Sequence, residues 1–105
     1  MTGSLRFHSG IDIAVPAGTV VEASGDGRVA LSGWLPGYGN VVIVEHGEGF
    51  STVYGHHHEN LVEPGEVVGR GQPLGRVGET GRTTGPHLHF EVRKEGLPVD
   101  PYLVI

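Results

Sequence analysis

The chain never runs longer than nine residues without glycine or proline, the longest such stretch being His87 to Glu95. Helices under about 12 residues are marginal in water, and both residue types are unfavourable in a helix interior. The free stretches also favour β-branched side chains, as in Val41-Val42-Ile43-Val44, which lose rotamer freedom in a helix and pack well on a pleated surface. An amphipathic helix is therefore not expected. What remains is a succession of strand-like runs at 10–15, 18–23, 27–32, 40–45, 50–56, 66–68, 73–77 and 87–94, each break carrying Gly, Pro or Asp. The clearest hairpin joins 41–45 to 51–54, and Pro64-Gly65-Glu66 and Gly69-Arg70-Gly71 read as further tight turns. The expected fold class is all-β, with short antiparallel strands forming a sandwich or partly closed barrel.

A chain of 105 residues makes one small domain with one core, expected to span 1–105. With 19 glycines and few large side chains that core is thin, so a bound metal would contribute to stability as well as chemistry. The net charge of −5, with seven scattered Lys and Arg, argues against nucleic acid, which needs a basic face. No apolar run approaches the roughly 20 residues that span a membrane. Met1-Thr2-Gly3-Ser4 has neither the charged start nor the apolar stretch of an export signal. Residues 1–5 read as an added junction or a shortened N-terminal segment. With no cysteine, any metal must be held by His, Asp and Glu.

Seven histidines, as many as all Lys and Arg together, stand out, and three clusters hold most of them. In Gly85-Pro86-His87-Leu88-His89-Phe90-Glu91-Val92-Arg93 the polar and apolar residues alternate. This is a strand with an apolar underside and two imidazoles above. His8-Ser9-Gly10-Ile11-Asp12 is the second cluster. Fully extended, it would hold His8 and Asp12 roughly 13 Å apart, so both reach one ion only if Gly10 is a bend. The third is Tyr54-Gly55-His56-His57-His58, where strand parity puts Tyr54 and His56 on one face and His57 on the other. His57 and His58 read as part of a polar loop. His46 reads as structural, bonding to turn backbone, and Asp26 as turn chemistry. His8, Asp12 and one of His87 and His89 supply two nitrogens and one oxygen, leaving a tetrahedral zinc an open position. The spacing does not say which of the pair is the ligand.

His8-x-Gly10-x-Asp12, Tyr54-x-His56 and Gly85-Pro86-His87-Leu88-His89-Phe90 together resemble the lysostaphin-type zinc endopeptidases that cut bacterial peptidoglycan. The likeness runs from about His8 to Tyr102, and connecting pieces such as Val15-Pro16-Ala17-Gly18-Thr19-Val20, Gly37-Tyr38-Gly39-Asn40 and Gly81-Arg82-Thr83-Thr84-Gly85 share it. The resemblance implies His8, Asp12 and His89 as ligands of one zinc ion per chain, His56 and His87 as the two catalytic histidines, and a β-sheet core with a groove between loops. Two departures stand out. His57 occupies a position that is commonly Leu, and the segment before His8 is short.

On this reading the chain is a monomeric, extracytoplasmic zinc endopeptidase of peptidoglycan peptides, carrying no export signal of its own and inserting into no membrane. The loop 33–40 and the segment 80–85 are expected groove walls, with Tyr38, Asn40 and Thr84 as substrate contacts. For Trp34 and Tyr38 the competing reading is that they cover the core. A rival function is a non-catalytic relative that binds wall material or activates a partner hydrolase. A lipoyl or biotin carrier is a third reading. It needs a lysine on a hairpin tip, and the only lysine is Lys94, at a strand end.

Overall fold

The valine-rich runs pair as their alternation requires. The computed structural model describes residues 10–81, 83 and 85–100. Nine strands follow in order: β1 (Ile11–Ile13), β2 (Val20–Glu22), β3 (Gly27–Leu35), β4 (Gly39–Gly47), β5 (Phe50–Asn60), β6 (Val67–Val68), β7 (Pro73–Val77), β8 (Leu88–Lys94) and β9 (Leu97–Val99). Every pairing is antiparallel, and no helix occurs among the described residues. The main sheet runs β1-β8-β5-β4-β3-β6, β9 extends β8, and β7 carries β2 as a branch from β5. The sheet does not close on itself.

The organising strand is β5. Phe50 to Gly55 pair with β8, whereas His57 to Asn60 pair with β7. By changing partners, β5 carries the β7–β2 branch over the main sheet. Val21, Leu74 and Val77 from the branch meet Val29, Val42, Val44 and Tyr54 from the main sheet in a buried core, with Leu88 and Phe90 against it. The apolar parity of β8 thus faces inward and its His89, Glu91 and Arg93 parity faces the other way, with His87 just before the strand.

Most runs form the expected strands, and three differences have physical causes. Strand β5 continues past His56 to Asn60, because His57 points into the interior instead of a polar loop. Strand β9 was not expected around Pro98, which sits against β8 at a sheet edge, where a missing donor is tolerated. Strand β1 is shorter than the run 10–15, starting after Gly10 with its φ of +102° and ending at Ile13, three residues before Pro16. The turns at Pro64-Gly65-Glu66 and Gly69-Arg70-Gly71 form as expected, Gly65 and Gly71 taking φ of 90° and 86°.

Candidate active site

Strand β1 lies antiparallel to β8 with Asp12 opposite His89. The Asp12 carboxylate Oδ1 is 2.7 Å from His89 Nδ1 and 3.5 Å from His87 Nε2. Gly10 makes this approach possible. Its φ is +102°, and a Cβ there would fall 2.4 Å from the Phe90 carbonyl oxygen and 2.6 Å from Glu91 Cγ. Gly10 itself leaves extended geometry, as it must if His8 and Asp12 are to share one ion. His8 and Thr84 lie outside the described residues.

His56 reaches the same place by a backbone device. Tyr54 packs in the core against Phe90, so regular alternation would bury His56 on that side. Instead His56 takes a φ of +67°, in the left-handed region that favours glycine. The reversal turns its ring out of the core, and the ring centroids of His56 and His87 stand 4.5 Å apart. Tyr54 and His56 therefore do not share a face, contrary to the strand-parity expectation. The strain, of order 1–3 kcal/mol, is offset by hydrogen bonds from His56 N to the Tyr38 carbonyl (2.7 Å) and from Gly78 N to the His56 carbonyl (3.0 Å). Asn40 Nδ2 donates to the carbonyls of His57 and His58, and Thr80 Oγ1 donates to that of His57.

The two histidines are oriented alike. His56 Nδ1 donates to the Thr80 carbonyl at 2.7 Å. His87 Nδ1 lies 3.0 Å from both the Gly85 carbonyl and Thr83 Oγ1. With Nδ1 tied to the backbone, the Nε2 of each ring is left to face the site. Burial lowers the His56 pKa from its ordinary value, His87 and His89 push it the same way, and the Thr80 hydrogen bond opposes them. At neutral pH its Nε2 is a bare acceptor.

His89 is held from both sides. Its Nδ1 faces Asp12, and its Nε2 lies 2.8 Å from Glu91 Oε2. Burial alone would lower the His89 pKa, but hydrogen bonds and charge from Glu91 and Asp12 outweigh it and raise the pKa. Glu91 is only 1% exposed. Tyr38 Oη donates to its Oε2 at 2.6 Å, Arg93 Nε donates to its Oε1 at 2.8 Å, and an Arg93 terminal nitrogen donates to Tyr38 Oη at 3.0 Å. Burial would raise the Glu91 pKa, yet the bonds from His89, Tyr38 and Arg93 lower it, so the carboxylate is charged.

The structure thus brings Asp12, His56, His87 and His89 together. The expected substrate residues are placed differently from one another. Tyr38 stacks edge-on to His89 and gives its hydroxyl to Glu91, while Asn40 spends its side-chain amide on the β5 reversal. Trp34 is 59% exposed and so covers no core. The orienting roles of Thr80 and Thr83 and the burial of Glu91 escaped the sequence reading. His46 bonds the Asp26 carbonyl through Nδ1 and Thr52 Oγ1 through Nε2, a structural role as expected. A turn does follow Lys94, which closes β8 opposite Leu97 at the Glu95-Gly96 hairpin to β9, but its amine donates to the Glu48 carbonyl and is tied to backbone instead of being presented at a tip, as a carrier module needs.

Against this geometry the comparisons are decisive. The sequence model of peptidase family M23 matches residues 6–101. The chain belongs to peptidase family M23. It is 48% identical over 99 residues to the DD-carboxypeptidase/endopeptidase Mpg of Neisseria meningitidis, covering 94% of this chain and 23% of Mpg. It is 46% identical over 101 residues to the murein hydrolase activator EnvC of Escherichia coli, covering 96% and 24%. Among solved structures, a zinc-containing peptidase from Vibrio cholerae superposes with a TM-score of 0.85 at 45% identity, over 89% of this chain and 29% of that one. The catalytic domain of lysostaphin from Staphylococcus simulans gives 0.85 at 32% identity, over 91% and 77%. The lysostaphin-type M23 fold is therefore the fold of this chain, which spans about a quarter of the length of these curated relatives.

The donor set can be tested for zinc on the residues themselves. Among the described residues no group of three His, Cys, Asp or Glu side chains is arranged to hold a metal. Asp12 and His89 nevertheless present one oxygen and one nitrogen donor at a single point. The other nitrogen of His89 is bonded to a carboxylate, the outer partner that metal-ligating histidines characteristically carry. The chemistry of this pair fits zinc, and His8 is the third donor expected from the sequence.

Proposed function

We propose that this M23 domain is a zinc-dependent endopeptidase that hydrolyses peptide cross-links or bridges of bacterial peptidoglycan outside the cytoplasm. The observation that carries the reading is the pairing of two donors, Asp12 and His89, with two imidazoles whose Nδ1 atoms are engaged elsewhere and whose rings lie 4.5 Å apart. His8, Asp12 and His89 hold the zinc, which when bound supplies Lewis-acid polarisation of the scissile carbonyl and lowers the pKa of water. His56 and His87 do the proton work. A neutral Nε2 on one takes the proton of the attacking water, and a protonated Nε2 on the other donates to the oxyanion and then delivers a proton to the leaving amine. The Nδ1 bonds to Thr80 and Gly85 fix each ring through both steps. The domain acts as a monomer on wall peptides, with Tyr38, Asn40 and Thr84 as its proposed substrate contacts.

A second reading, a non-catalytic domain that activates a partner hydrolase, draws support from the 46% identity to an activator. One experiment separates the two. Purified protein loaded with zinc is incubated with purified peptidoglycans of differing cross-link chemistry, and the released fragments are identified by mass spectrometry. Cleaved peptide bonds are expected from one class of wall. No cleavage, with stimulation of an added wall hydrolase, would establish the activator instead.

A further inference from the structure

Glu91 is a buried carboxylate that neither the ligand set nor the proton relay uses. We infer that it is a positioning residue, locking His89 in the tautomer and ring orientation that turn Nδ1 toward Asp12 and the metal. The inference rests on the zinc reading above. A histidine that keeps a proton on Nε2 has only Nδ1 to offer a cation, and the nitrogen that keeps the proton is the one with a fixed acceptor. Glu91 Oε2 is that acceptor, 2.8 Å from His89 Nε2.

The carboxylate is itself held in place. Tyr38 Oη and Arg93 Nε bond its two oxygens, and Arg93 also bonds Tyr38 Oη, closing a ring of contacts around a group that is 1% exposed. Withdrawing a carboxylate from water costs several kcal/mol unless good geometry compensates. A glutamate at the surface end of the same parity would avoid that cost. The position also limits drift, since Gly10, just before β1, lies so close that a Cβ on it would stand 2.6 Å from Glu91 Cγ. The segment that delivers Asp12 is thus packed on the residue that aims His89. Both donors are referenced to one side chain.

The test is the zinc dissociation constant, measured by chelator competition and read separately from activity. In Glu91→Gln it is expected to rise roughly 10- to 100-fold, the usual effect of losing an outer partner. Tyr38→Phe keeps the carboxylate and removes one of its donors, so a smaller rise of about three- to tenfold is expected, the equivalent of one hydrogen bond. It guards against Glu91→Gln failing to fold. Thr52→Val, a buried change that breaks contacts to His46 and Tyr54, is expected to lower thermal stability without weakening zinc binding. In the nitrogen-15 spectrum of zinc-loaded protein, the His89 Nε2–H proton is expected far downfield and shielded from exchange, and to move upfield in Glu91→Gln. Wild-type protein that binds no zinc would defeat the zinc reading itself. Tight wild-type binding with unchanged affinity in Glu91→Gln and Tyr38→Phe, or equal weakening in Thr52→Val, would defeat only the role of Glu91.

Discussion

His56 and His87 approach to a ring-centroid distance of 4.5 Å from strands that pair only as far as Gly55 and His89. What joins them is the left-handed backbone of His56, not strand register. If both rings carry protons in the reaction, each is needed by itself. His56→Asn preserves a residue type that tolerates positive φ, and His87→Asn preserves polarity at its site. Each is expected to lower kcat by about 10²- to 10⁴-fold while the protein keeps its zinc. Fragment release from peptidoglycan and elemental analysis of the same samples check both halves. Full activity in either variant would remove that histidine from the relay.

Asp12 stands on a different footing, because its carboxylate is 2.7 Å from His89 Nδ1 and belongs to the donor pair. Asp12→Ala is expected to weaken zinc binding by more than about 100-fold, beyond the cost of an outer partner. Chelator competition measures this directly, and retention of zinc at wild-type affinity would place the metal elsewhere.

The period-two alternation of 87–94 was enough to foresee which face of β8 carries the imidazoles, because strand parity is a property of the chain itself. The bend at Gly10 was legible for a similar reason, since two ligands four residues apart cannot share an ion along an extended strand. The face of His56 was not legible. Its φ is positive where β5 switches from β8 to β7, and no local pattern records that switch. Its one local trace is that His enters the left-handed region more readily than most residues. The burial of Glu91 was hidden too. Its parity marks it as polar and outward, and it is covered by Tyr38 from the β3–β4 turn together with Arg93 and the Gly10 segment. His57 was misplaced because its space is made by Gly75, where a Cβ would lie 2.4 Å from His57 Nδ1, eighteen residues on.

Gly10 offers a prediction about stability. Its φ of +102° and the 2.4 Å approach to the Phe90 carbonyl leave no room for a side chain. Gly10→Ala is expected to cost at least about 1–3 kcal/mol from backbone strain alone. In a domain of this size each kcal/mol lowers the melting temperature by roughly 4–8 °C. The loss should appear in metal-free protein as well. A melting temperature unchanged without metal would show that the bend is dispensable for folding.

His57 makes the fold sensitive to acid. It is fully buried, Nδ1 donates to Asn60 Oδ1 at 2.8 Å, and Nε2 has no hydrogen-bond partner among the described residues. Burial lowers its pKa below the ordinary 6.5, the Asn60 bond opposing and His56 adding to the shift. Between the folded pKa and 6.5 the unfolded chain therefore binds more protons than the folded one, so stability rises with pH in that window. The contribution is complete above about pH 6.5 and is lost as pH falls toward the folded pKa, at no more than about 1.4 kcal/mol per pH unit. His57→Leu removes this titration while leaving that of His56 in place. The variant is expected to lie within about 1.5 kcal/mol of wild type at pH 7, as volume-conserving core changes do, and to gain on it as pH falls below 6.5 toward the folded pKa. Urea unfolding of metal-free protein at each pH measures the gap. Two curves that fall in parallel across that range would show that His57 takes up its proton without leaving the core.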